Sequence, residues 1–116
     1  MPITADGKNE ALDALAALAD YAALFSDDAA TTEISGGSPA YARKALTWGA
    51  AAEGEVAISN QPEFDVPSGV TVRAVGFMTL ATGGTLLAYH NVTDEAFGAQ
   101  GTYTLTSATM TLSDPA

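Results

Sequence analysis

The residues able to do chemistry in this chain are few and scattered. His90 is the one histidine, and cysteine is absent. Nucleophilic catalysis sets a serine, threonine or cysteine beside a base. Ser38 sits in Gly36-Gly-Ser-Pro39, where the proline makes a turn, and the Gly-x-Ser-x-Gly elbow of a strand-to-helix nucleophile does not occur. Acid–base work by paired carboxylates would have to use Asp27-Asp28, Asp94-Glu95, or Glu63 with Asp65. Sequence neighbours point apart on a strand and are solvated in a loop. Pro62 and Pro67 bracket Glu63 and Asp65 and mark an exposed edge. Asp27, Asp28 and Glu33 are oxygen donors of the kind calcium takes in loops, without the spacing of an EF-hand. One histidine and no thiolate disfavour a transition metal. Gly36-Gly37 and Gly83-Gly84 lead into no basic residue and helix, so no phosphate loop is present. The expectation is a protein with no catalytic residues, no metal and no cofactor, and not an enzyme.

Charge narrows the partners. Fourteen acids against four bases leave a formal charge of −10 over 116 residues. Nucleic-acid binding needs clustered Lys and Arg, and the one basic pair, Arg43-Lys44, splits across two faces of an extended strand. No apolar run approaches the roughly 20 residues of a membrane-spanning helix. Met1 to Asn9 lacks the basic-then-apolar order of a secretory leader. These features predict a protein made in a cytoplasm, with no membrane insertion and no nucleic-acid partner.

The elements that would carry these residues follow from periodicity. Strong helix formers with Leu12, Leu15 and Leu18 on one face predict a helix over about 7–19, with Asp6 at its start. Tyr21 to Ser26 fits another helical turn or a strand, and the aromatic-flanked run before Asp27-Asp28 favours the strand. Residues 27–40 hold turn-forming types. From Tyr41 to Trp48 the period is two, with Tyr41 and Arg43 on one face. Short strands follow at 56–58 and 63–66. Val70 to Leu80 is apolar on both faces and reads as central, with Val70, Val72 and Ala74 on one side and Val75 and Phe77 on the other. Thr82-Gly-Gly-Thr85 predicts a hairpin returning through Leu86 to His90. Threonine alternates with apolar residues in Thr102–Thr106 and again in Thr109–Leu112, but on the opposite parity. A phase slip at Thr106-Ser107 requires a bulge, a turn, or a corner between sheets. The whole predicts one domain over 1–116: a mainly β, antiparallel β-sandwich or compact barrel of about seven or eight short strands over about 21–113, with one N-terminal helix. Alanine covers little area, so burial is expected to rest on large residues: Leu24, Phe25, Trp48, Phe64, Phe77, Leu86, Leu87, Tyr89, Phe97, Tyr103, Leu105 and Met110.

The segment Gly36-Gly-Ser-Pro-Ala-Tyr-Ala-Arg-Lys-Ala-Leu-Thr-Trp-Gly49 resembles the hallmark of a family of small virion proteins of tailed bacteriophages, labelled tail-fibre or minor tail proteins and often from phages of actinobacteria. Phe64-Asp-Val-Pro-Ser-Gly-Val-Thr-Val72, Val75-Gly-Phe77, Ala81-Thr-Gly-Gly-Thr-Leu86 and Gly98-Ala-Gln-Gly-Thr-Tyr103 continue the resemblance in order, over nearly the whole chain. Its motifs are turns, an aromatic strand and a hairpin. The resemblance implies a structural, tail-associated component of the virion (tail tip, fibre or adaptor) that assembles with other copies of itself and with other virion proteins. A capsid decoration protein is the alternative. A host-surface glycan-binding module using Tyr41, Trp48 and Tyr89 is a second, against which Trp48 is expected to pack in the core. The surfaces expected to meet partners are the helix face at Leu12 and Leu15, Tyr41 and Arg43 on their strand, and Tyr89 and His90 at the strand end.

Overall fold

The computed structural model describes residues 4–111. It contains a helix α1 (Ala5–Leu18) and eight strands: β1 (Tyr21–Phe25), β2 (Lys44–Ala45), β3 (Glu55–Ala57), β4 (Glu63–Val66), β5 (Val70–Met78), β6 (Leu86–Phe97), β7 (Gly101–Thr104) and β8 (Thr109–Thr111). Every strand pairing is antiparallel. The fold is therefore mainly β with a single N-terminal helix, as the periodicity predicts. The four-stranded sheet has the order β2-β1-β5-β6, and two two-stranded ladders, β3-β8 and β4-β7, complete it.

The helix begins earlier than its apolar repeat. Thr4 is extended and its Oγ1 accepts the Gly7 N–H at 3.1 Å, so Thr4 is the cap and Asp6 lies within the first turn. Residues 21–25 form a strand, because Tyr21 to Phe25 pair with Ala74 to Met78 of β5. The stretch from Tyr41 to Trp48, expected to be one strand, pairs with β1 only at Lys44 and Ala45. The reason lies on β1. The Leu24 carbonyl accepts the Ile34 N–H and the Leu24 N–H donates to the Tyr41 hydroxyl, so the edge of β1 beyond Ala22 is already taken.

A main apolar cluster draws Leu12 and Ala16 from α1, Leu24 from β1, Val56 from β3, Phe64 and Val66 from β4, Val72, Val75 and Phe77 from β5, and Met110 from β8. A smaller one joins Ala23, Phe25, Ala30, Ala74 and Met78 on the other face of the four-stranded sheet. The expected alternation along β5 therefore breaks: Val72 shares the main core with Val75 and Phe77. The pairing with β6 is irregular between Val72 and Ala74, where the Arg73 side chain reaches the Ser26 carbonyl and Asp94. Tyr89, expected inside, is 49% exposed. The interior relies instead on valines, with Ile34 and Leu46 beside them.

The phase slip at Thr106-Ser107 is a corner. Before it β7 pairs with β4, and after it β8 pairs with β3. Leu105 points inward on one side and Ala108 and Met110 on the other. The continuation past Thr111 expected from the threonine alternation lies outside the described residues.

Candidate functional site

The most organised polar group in the structure surrounds Glu33, in the loop after β1. The Glu33 carboxylate receives Arg43 Nε at Oε2 (2.9 Å), Arg43 Nη2 at Oε1 (2.9 Å) and the Tyr41 hydroxyl at Oε2 (2.8 Å). Arg43 Nη1 donates to the Leu80 and Gly83 carbonyls at 2.9 and 2.6 Å. The Tyr41 hydroxyl accepts the Leu24 N–H at 2.8 Å, and its ring stacks on Phe64 with centroids 6.4 Å apart. Three segments that no ladder joins (the loop after β1, the stretch before β2 and the β5–β6 turn) are thereby fixed to one another. A bidentate, planar contact of this kind is what arginine provides and lysine does not.

Electrostatics hold the group in one state. Burial raises the Glu33 pKa, but the bonds from Arg43 and Tyr41 and the Arg43 charge outweigh it, and the carboxyl sits below its ordinary value. Burial pushes the Tyr41 phenol well above its ordinary value, and the adjacent Glu33 adds to that. The hydrogen bonds that Arg43 donates to Glu33 hold it charged. A carboxylate kept ionised, a phenol kept neutral and a permanent cation have no proton to exchange near neutrality. The chemistry open to this group is recognition and bracing. It borders a cleft of about 420 Å³ lined by Glu33, Ser35, Tyr41, Arg43, Ala81 and Thr82 among others.

The expected contact residues fall into two sets. Leu12 is 2% exposed, belongs to the core and lines the same groove as Leu15. Leu15 packs against that core and lines an apolar groove of about 180 Å³ with Phe77, Ala88, Tyr89 and Met110. Tyr41 and Arg43 are committed to the internal brace. Tyr89 and His90 lie exposed on β6, an edge strand whose one sheet neighbour is β5. Trp48 packs inward as expected: its ring meets Phe77 edge-on at 5.2 Å, and its Nε1–H donates to the Ala19 carbonyl at 2.8 Å. Of the aromatics expected for glycan contact, Tyr89 is thus the exposed one.

The carboxylates weighed for catalysis or calcium are engaged separately. Asp27 accepts the backbone N–H groups of Thr31 and Thr32 and the Thr31 hydroxyl, which lowers its pKa, the Thr31 hydroxyl contributing most. Asp94 faces Arg73 at 3.3 Å. Among the described residues no group of three or more His, Asp or Glu gathers as a metal site. Ser38 is held by Gln100, whose Oε1 accepts the Ser38 N–H, and His90 lies opposite Val75 on the sheet. Glu33 is the residue that sequence reasoning missed as a structural partner. The available signal was the shared face of Tyr41 and Arg43, a hydroxyl and a guanidinium side by side that require an acceptor.

Residues 13–113 of the chain match the model of the family described as Podophage GP4 fiber I protein gp80. No curated protein and no solved structure matches it. The chain belongs to this podophage fibre-protein family.

Proposed function

We propose that the chain is a structural component of a tailed-phage virion, associated with the tail at its tip, in a fibre or as an adaptor, and that it acts by protein–protein assembly rather than catalysis. Membership of a podophage fibre-protein family over residues 13–113 carries this reading. The committed state of Glu33, Tyr41 and Arg43 agrees with it, because this hydrogen-bonded polar group braces the fold itself. The protein resides in the virion after synthesis in the host cytoplasm, and its partners are other virion proteins together with further copies of itself. An origin in phages of actinobacteria belongs to the same proposal.

Immunogold labelling of purified particles tests the assignment. The expected result is label at the tail. Label spread over the capsid would favour a decoration protein, and absence from purified particles would overturn every virion role. Sedimentation of the purified chain tests self-assembly: a closed ring is expected, a trimer or larger. A monomer at all concentrations would leave assembly to heterologous partners alone.

A further inference from the structure

The geometry points to the cleft beside the Glu33–Arg43 pair as a binding site for a neutral sugar, recognised through its hydroxyl groups. The inference starts from a hydrogen-bond inventory. A carboxylate offers about four lone-pair sites and a guanidinium five N–H donors. Glu33 takes Arg43 Nε, Arg43 Nη2 and the Tyr41 hydroxyl. Arg43 gives its donors to the two Glu33 oxygens and to the Leu80 and Gly83 carbonyls. Among the described residues, what remains is an acceptor site on Glu33 Oε1 and an N–H on Arg43 Nη2, two atoms 2.9 Å apart. A hydroxyl is a donor and an acceptor on one atom, so this pair matches a hydroxyl better than it matches an ion.

Charge supports the same class. Glu33 and Arg43 cancel, and neither a phosphate nor an ammonium finds a net counter-charge in the cleft. Ser35 and Thr82 add two exposed hydroxyls to the lining. Ala42 and Ala81, both exposed, supply apolar surface for the C–H face of a pyranose ring. The volume, about 420 Å³, falls within the roughly 300–1,000 Å³ of small-molecule sites. The arrangement is fixed before any ligand arrives, because the Glu33–Arg43–Tyr41 brace already holds the pair and the β5–β6 turn in place. Preorganisation of this kind lowers the cost of binding. The inference does not depend on the place of the protein on a particle, so its failure leaves the structural assignment untouched.

The test is a two-dimensional amide NMR titration of the full chain with a panel of neutral methyl pyranosides, with uronic and sialic acids as charged comparators. The expected result is a saturable shift, for at least one neutral pyranoside, confined to residues 33–35, 41–43 and 81–83. Ala81→Trp and Ser35→Trp fill the cleft without touching the brace, and each is expected to abolish the shifts while keeping a folded spectrum. Ala99→Trp, exposed and outside the lining, should leave them intact. The inference is overturned if no neutral sugar perturbs these residues at concentrations up to about 100 mM, a hundredfold above a millimolar dissociation constant. It is overturned equally if the shifts map elsewhere, if they survive both filling variants, or if the acidic sugars alone bind.

Discussion

Glu33 is the carboxylate that anchors both Tyr41 and Arg43, and its charge is what acid removes. Its folded pKa is depressed, so the stabilisation it gives is complete above the ordinary carboxylate value and is lost as pH falls through the folded one. Asp27 shifts in the same direction through the bonds from Thr31 and Thr32. Denaturant unfolding measured from pH 7 down to pH 3 should therefore show stability falling below about pH 4.5, the window set by these lowered values. In Glu33→Gln the Arg43 guanidinium, 10% exposed, keeps its place without a counter-charge. That substitution should cost on the order of 2 kcal/mol at pH 7. It should also flatten the acid limb relative to the parent, and an unchanged limb would show that Glu33 does not carry it. Glu53 offers a change of opposite sign. It adopts a left-handed φ of 54° on an exposed turn. Replacing it by glycine should raise stability by roughly 0.5–1 kcal/mol, read as a higher thermal midpoint. The sequence shows both residues as acids on polar loops. It does not show that one is clamped and the other strained, because the first depends on Tyr41 and Arg43 folding back across a loop and the second on the tight turn that Ala52 and Glu55 close around Glu53.

Among the elements, β5 carries the tightest local requirement. Gly76 lies where β5 faces Phe25 of β1 and Leu86 of β6, and a methyl group there would meet the Phe25 ring and, at 2.7 Å, Leu86 Cδ1. Gly76→Ala should cost about 1–3 kcal/mol, as overpacking does, and Gly98→Ala, with open space around it, should be nearly silent in the same assay. Equal midpoints for the two variants would mean that the sheet relaxes around the added atom. The elements also divide by how well the sequence shows them. The β5–β6 turn is legible because Gly83 and Gly84 take the positive φ values, 65° and 75°, that paired glycines accept. The corner at Thr106-Ser107 is legible because parity is a strict rule on a strand. The single reach of Tyr41 to Trp48 is not, since its alternation is real but the edge of β1 is occupied by Ile34 and the Tyr41 hydroxyl. The full length of β6 is hidden for a related reason: as an edge strand with Tyr89 to Asn91 exposed, it lacks the apolar alternation that marks a half-buried strand.

At the scale of the whole molecule the dominant quantity is the charge of −10. Both arginines are spent internally, Arg43 on Glu33 and Arg73 on Asp94 and the Ser26 carbonyl, so the excess acids meet few basic groups on the surface. Glu10, Asp13, Glu53 and Glu55 are all exposed on α1 and the neighbouring β3 end, where Asn9 and Asp13 accept N–H groups from Gly54 and Ala51. Like charges crowded by folding repel, and the unfolded chain relieves that repulsion. Salt screens such exposed charges over a Debye length of about 10 Å at 0.1 M and about 3 Å at 1 M, while the more buried Glu33–Arg43 pair is screened less. Two effects of opposite sign thus compete, and the exposed acids outnumber the ion pairs. Raising sodium chloride from 20 to 500 mM should therefore increase unfolding free energy, by on the order of 1 kcal/mol. Repeating the measurement on Glu10→Gln/Glu53→Gln separates the causes, because relief of surface repulsion predicts a higher starting stability and a smaller salt gain in that variant. A gain of the same size in both proteins would point to excluded-solute strengthening of apolar burial instead. The same repulsion bears on assembly: copies that meet through acidic faces must do so with a basic partner or at high ionic strength. A salt series in the sedimentation experiment then distinguishes self-association, which salt should promote, from capture by a basic virion protein, which salt should weaken.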